Sequence, residues 1–279
     1  MGKKNKKHPD EMSFLDHLED LRWHLIRSTL AVLIAGTIAF LAKSFIFDTL
    51  IFGPVNVDFW TYRVLCNISQ WAGFDDSFCL SEIPFRIQSR IMAGQFSAHI
   101  WTAITAGFII SFPYVIYEFW KFLSPGLYEE ERKNAKWFIL AGSLLFFTGV
   151  LFGYYVISPL SIRFLGSYQV SEIVFNDFDL GSYIGLLRAC VLASGFIFEL
   201  PIVIYFLSKI GLVTPEFLRE NRKYAIVLIL IFSAIITPPD VASQVIVTIP
   251  VLILYEISIF ISKVVVKNQK KKEKERKTN

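Results

Sequence analysis

The sequence predicts an all-α polytopic membrane protein, and three observations carry that reading. Of its 279 residues 54% are hydrophobic and only 19% are charged, with a mean hydropathy of +0.50; a soluble domain carries about 25% charged residues. The apolar residues gather into six segments near the roughly 20 residues a helix needs to cross a hydrocarbon core about 30 Å thick. The charges, in turn, collect at the segment ends and in two basic tails. Lys267 to Asn279 carries +5 and the first nine residues +4, against +4 for the whole chain. The rest is net acidic, so the basic balance belongs to the tails and no nucleic-acid partner is expected. Collagen, disordered chains, disulfide-framework miniproteins and ordinary soluble enzymes are excluded.

The first predicted span covers 28–47, with Lys43 near one end. The second, 95–118, is drawn from the uncharged stretch that runs from Ile91 to Tyr117. The third, 137–159, is rich in Phe and Gly, and the fourth, 182–207, is interrupted by Arg188 and Glu199. The fifth, 224–237, amounts to only about 21 Å of helix at 1.5 Å per residue. It is followed closely by the sixth, 243–261. A short pair of this kind thins the bilayer or recruits a neighbour to cover the mismatch; the alternative is that Arg222 and Lys223 snorkel and the span starts earlier. The lengths exclude strands, and nothing alternates as an outer-membrane barrel does. About 20 mostly polar residues precede the first span, which argues against a secretory signal peptide, and the acidic stretch from Asp10 to Asp20 argues against an organellar transit peptide.

Orientation follows from the basic residues. With the amino terminus inside, 22 Lys and Arg face the cytoplasm and 5 the opposite side, so both termini are expected to be cytoplasmic. This leaves one large outer loop, 48–94, a single membrane domain over 1–265 and a basic tail over 266–279. The loop holds Phe59, Trp60, Trp71, Phe74, Phe78 and Phe85, and is expected to pack rather than dangle. Cys66 and Cys79 also fall there, on the oxidising side of a bacterial inner membrane. A bridge between them is worth about 3 kcal/mol for so short a loop; the alternative is two free thiols. Cys190 reads as a small apolar residue of the fourth span. In the inner loops, Thr214-Pro215-Glu216 supplies an N-cap, a first-turn proline and a first-turn acid, and Ser124-Pro125 likewise starts a short helix.

Marks of catalysis are missing: there is no H-E-x-x-H, no phosphate-cradling loop and no dinucleotide fingerprint. His17 and His24, seven apart, lack a third ligand, and neither a cofactor nor a metal is expected. The informative residues are charges in costly places. Glu199 lies well inside a span, where an ionisable group suggests function; the alternative is a protonated acid bonded within the bundle. Glu19, Asp20 and the run Glu129 to Glu131 place acids on a face otherwise held inside by basic residues. Helix-start acids and i,i+4 pairs such as Glu129 with Lys133 explain them plainly, whereas a carboxylate site for a cationic ligand is the functional alternative.

Six motifs in order extend the argument. Ser13 to Arg22 (SFLDHLEDLR), Phe119 to Arg132 (FWKFLSPGLYEEER), Phe198 to Pro201 (FELP), Gly211 to Pro215 (GLVTP), Thr237 to Asp240 (TPPD) and Leu254 to Ile257 (LYEI) together resemble the TatC family, the receptor subunits of the twin-arginine protein translocase, over about 13–263. The resemblance implies six helices with both termini inside, short fifth and sixth helices and a concave shape. It implies no enzyme, but a receptor for twin-arginine signal peptides that works with TatA-type and TatB-type single-span partners and other TatC copies. Folded cargo then crosses the inner membrane at the expense of the proton-motive force. By position, Glu131 matches the loop acid implicated in binding the arginine pair. Asp20 stands where the family has Glu, one methylene longer. Arg22 and Phe122 match other positions of the signal-recognition surface, and Glu199 the intramembrane acid. Thr237 and Gln244 match a polar patch associated with partner subunits, with Asp240 in the turn between them; Pro54 and Pro113 match structural prolines. The long aromatic outer loop departs from the family, so no role carries over to it. The lysine-rich tail is read as an anchor for anionic lipids. A secondary transporter is the competing class, but no internal repeat of the kind it needs is visible.

Overall fold

The computed structural model describes residues 14–71, 73, 79, 85–124, 135–237 and 240–278. The stretch 1–265, read from the sequence as one domain, comprises parts of two compact units: Met1–Ile46 with Phe96–Leu144, and Phe47–Gln95 with Leu145–Asn279.

The first unit is built on α1 (Phe14–Leu41) and α3 (Gly94–Leu123). α1 begins well before the predicted span because residues 14–35 contain neither glycine nor proline and nothing there stops a helix. The two helices approach closely where Gly107 faces Gly36: a Cβ on Gly107 would lie 2.5 Å from the Gly36 nitrogen. Toward the carboxyl end of α1, the His99 ring stacks on Phe40 at 3.9 Å and its Nε2 donates to the Phe40 carbonyl at 3.1 Å. Trp120 of α3 packs at 4.4 Å on Phe138 of α4 (Ala135–Phe152).

In the second unit a π-turn, Gly153–Ile157, carries α4 on into α5 (Ser158–Ser167), well past the predicted end at 159. Gly149 and Gly153 stand four apart, and both touch α6 (Leu180–Phe198). A Cβ on Gly149 would lie 2.6 Å from the Ser194 carbonyl, and one on Gly153 2.7 Å from that of Cys190. Small residues at this spacing let two membrane helices meet backbone to backbone. The predicted fourth span breaks at Glu199, and α7 (Leu200–Lys209) begins there. Pro201 forces the break, since it has no N–H to offer the turn before it. α8 (Pro215–Glu220) starts as the sequence predicts, with Thr214 Oγ1 accepting from the Phe217 N–H at 3.2 Å.

α9 (Arg222–Ile236) has 15 residues, about 22 Å of helix. The final helix is a correction: α10 runs from Val241 to Thr278, 38 residues, so it is not short. Neither Gly nor Pro follows Pro250, the tail is rich in good helix formers, and α7 supports the helix along its flank. Ser208 donates to Ser262 at 2.7 Å, and Gln269 Nε2 donates to the Lys209 carbonyl at 2.8 Å, satisfying one of the last acceptors of α7. Among the described residues five helical segments are long and apolar enough to cross a bilayer: Leu18–Leu41, Gly94–Phe122, Lys136–Ser167, Leu180–Lys209 and Ser243–Lys271.

The 48–94 connection is structured. After a π-turn, Phe45–Ile51, and a 3-10 turn, Gly53–Val55, it forms α2 (Trp60–Trp71) and β1 (Arg86–Gln88). β1 pairs in parallel with β2 (Asp177–Asp179), Ile87 opposite Phe178. Hydroxyl groups fasten this layer to the helices. Tyr62 donates to the carbonyls of Pro54 (3.0 Å) and Pro159 (3.2 Å), Tyr154 to Leu50 (2.8 Å) and Tyr183 to Ile51 (2.6 Å), while Thr61 bonds the Tyr155 carbonyl. The Phe59 ring stacks on Tyr155 at 5.6 Å, and Phe85 meets Phe178 edge-on at 5.1 Å. The loop aromatics thus pack on protein, although Trp71 stays exposed; Phe74 and Phe78 lie outside the described residues. Cys66 and Cys79 are joined in a disulfide with their Cα atoms 4.5 Å apart, and Cys190 is a buried free thiol.

Candidate functional site

Among the described residues of the first unit, a set of charges gathers on a residue that sequence reasoning missed. Glu118, on the last turns of α3, is only 2% exposed, and its Oε2 lies 2.6 Å from His24 Nδ1 on α1. That is the length of a charge-assisted bond. Arg27 approaches the same oxygen at 3.8 Å and Lys121 the other at 3.9 Å, both from half-exposed positions. The Tyr114 hydroxyl also reaches the carboxylate, and the Lys121 ammonium sits 4.3 Å above the Tyr117 ring. A buried carboxylate needs partners of this sort, because leaving it uncompensated costs several kcal/mol. The signal in the sequence was slight: an acid ends the uncharged run, where it reads as a span boundary rather than as buried charge.

The predicted recognition residues stand around this pair. Asp20 and Arg22 are exposed on α1, and Arg22 borders an apolar depression lined by Leu18, Leu21, Leu25 and Ile26. Phe122 is half-buried, its ring edge-on to His24 at 6.3 Å. Glu131 lies outside the described residues, as does the predicted helix start at Pro125.

In the second unit Glu199 falls at the break between α6 and α7 and is 8% exposed. Its carboxyl lies against the Phe146 backbone, and its Oε1 has no hydrogen-bond partner among the described residues. Thr237, Gln244 and Asp240 cluster at the turn between α9 and α10, where each makes an internal bond. Thr237 is buried and its hydroxyl donates to the Ser233 carbonyl at 2.8 Å. Gln244 Nε2 donates to the Leu230 carbonyl at 3.2 Å. Asp240 Oδ2 accepts from the Ser243 N–H (2.9 Å) and hydroxyl (2.7 Å), which caps α10. Among the described residues no three His, Cys, Asp or Glu side chains come together as a metal site would require.

Comparison with known proteins agrees with this architecture. A family model described as "Sec-independent protein translocase protein (TatC)" matches residues 16–250. The chain is 44% identical over 260 residues to the protein of that name from Blattabacterium sp. subsp. Periplaneta americana, covering 93% of this chain and 97% of the relative. It is 34% identical over 264 residues to that from Aquifex aeolicus, covering 94% and 100%. Two crystal structures of a "Twin Arginine Translocase Receptor- TatC" superpose with TM-scores of 0.63 and 0.67 at 33% identity, covering 90% and 88% of this chain and 99% of each structure. Fold, length and sequence agree from one end of these relatives to the other, and the chain belongs to the TatC family of Sec-independent protein translocase subunits, multi-pass proteins of the inner membrane.

Proposed function

We propose that this translocase subunit is the receptor for twin-arginine signal peptides, and that the two guanidiniums dock on the carboxylates of Glu131 and Asp20. The observation that carries the reading is the pairing of α1 with the end of α3. Exposed Asp20 and Arg22 stand on one helix, and Phe122 lies against that helix through His24. Carboxylates suit the task because guanidinium and carboxylate form two parallel bonds, which an ammonium cannot do. The apolar part of the signal then enters the membrane region. Glu199 supports this, since an unsatisfied carboxyl oxygen inside a span has a polar ligand still to meet.

In this reading six helices cross the membrane with both termini in the cytoplasm, as the count of basic residues requires. TatA-type and TatB-type single-span helices pack along α9, where Val227, Leu228, Ile231 and Ile235 are exposed. Thr237, Gln244 and Asp240 act there by fixing the α9–α10 turn. Other TatC copies complete the assembly, and the proton-motive force drives transport of folded cargo. The lysine-rich end of α10 meets anionic lipid only near its first turn outside the membrane, because each further turn climbs about 5.4 Å away.

The test is a titration of the purified protein in nanodiscs with a signal peptide carrying Arg-Arg or Lys-Lys. A preference for Arg-Arg that disappears in Glu131→Ala is the expected result. Equal, weak binding of both peptides by both proteins refutes the receptor role for this subunit alone.

A further inference from the structure

We infer that His24 and Glu118 are positioning residues for signal recognition: a latch that fixes α1 on α3 so that Asp20, Arg22 and Phe122 present one surface. The inference rests on the receptor reading above. Its basis is a double register. His24 is four residues after Asp20 on α1, and Phe122 is four residues after Glu118 on α3, so each recognition residue shares a helix face with its member of the pair at about 6 Å of rise. The 2.6 Å bond between His24 and Glu118, with the His24 ring edge-on to Phe122 at 6.3 Å, ties the two faces together.

Among the described residues the other close contacts between the two helices lie farther along. The close approach at Gly36 and Gly107 and the stack of Phe40 on His99 lie three or more turns farther along the helix. Leu25, Ile26, Leu30, Leu33 and Ile34 are exposed, so this face of α1 adds no apolar burial against α3. Among the described residues, Arg27 from α1 and Lys121 from α3 face the pair, with the Tyr114 phenol. Both cations are near 4 Å and half exposed, a distance at which they balance charge without setting a direction. At this end of α1 the His24 imidazole supplies a short, directed bond to α3.

The experiment compares wild type with His24→Ala, His24→Phe and His24→Gln in nanodiscs. Two readouts are used: affinity for Arg-Arg and Lys-Lys signal peptides, and the distance distribution between spin labels at positions 25 and 119 in a Cys190→Ser background. Leu25 and Phe119 are both exposed and suited to labelling. His24→Phe keeps the ring volume and loses the N–H, so it carries the test even where alanine does not fold. Loss of Arg-Arg affinity by about tenfold or more in Ala and Phe, a broadened distance distribution, and recovery of both in Gln, which keeps an N–H donor, are the expected results. Unchanged affinity in Ala and Phe overturns the latch while the receptor reading stands, and so does a broadened distribution at unchanged affinity. A wild type without Arg-Arg preference overturns the receptor reading and the latch with it.

Discussion

Gly153→Val tests the packing of α4 on α6. Three atoms would crowd a Cβ at this position: the Cys190 carbonyl oxygen at 2.7 Å, the Val191 Cα at 2.8 Å and the Ser194 Cβ at 3.0 Å. Two belong to backbone and the third is the first atom of its side chain, so none can swing aside and the helices must part. Overpacking costs about 1–3 kcal/mol and here belongs at the upper end. Replacing glycine in a helix returns about 0.4 kcal/mol, which leaves a net loss of about 2–3 kcal/mol. The population with α4 and α6 separated should rise by about 30- to 150-fold. The protein carries its own reporter, because Cys190 lies in this interface, is 1% exposed and is the free thiol among its cysteines. Maleimide labelling in detergent, at reagent low enough that opening is in equilibrium, reads that population directly. Gly185→Val is the control, since a Cβ there meets nothing within 4 Å. A Gly153→Val protein that labels no faster than the control would show that the two helices do not meet at Gly153, and would refute the reasoning.

Two further predictions concern the outer layer. Without reductant, denatured protein should expose one reactive thiol, and after reduction three; reducing the Cys66–Cys79 bridge should lower stability by about 3 kcal/mol, read as a shift in the thermal midpoint. Three thiols without reductant would remove the bridge. Tyr62→Phe should cost about 1 kcal/mol, because the Pro54 and Pro159 carbonyls lose their shared donor. Burial pushes the Tyr62 phenol above the ordinary tyrosine range, offset in part by Arg163. Its contribution is therefore full below about pH 10 and falls as pH rises toward the folded value. Alkaline melting of Tyr62→Phe should be correspondingly shallower, and identical alkaline slopes would contradict this.

What the sequence made legible was whatever is local. Apolar length placed the start of each span after the first within two residues of a helix start but missed α1 at both ends, and the Thr214 cap followed from three adjacent residues. What escaped depends on partners far along the chain. Glu118 and His24 are 94 residues apart, and nothing near either announces the other. β1 and β2 have three residues each, too few for an alternating pattern, and meet across 91 positions. The tail beyond 265 was read only as a basic, lipid-anchoring segment because composition reports charge, while its helicity comes from a continuous good-helix sequence and the brace at Gln269. The break at Glu199 was visible in principle: Pro201 sits inside an apolar run, and the run's hydropathy concealed it. Of the candidate site, the residue types of Asp20, Arg22 and Phe122 could be read beforehand, but the contact that joins their helices could not.

The tyrosine bonds of the outer layer end on main-chain carbonyls, those of Leu50, Ile51, Pro54 and Pro159. Every residue offers such an acceptor whatever its side chain. Each bond is therefore unevenly constrained: the hydroxyl-bearing partner must keep its phenol, whereas its counterpart offers the same acceptor whatever its side chain so long as the local backbone path is kept. A scan of single substitutions there should find more tolerance at the exposed Leu50 than at the buried Tyr62 and Tyr183.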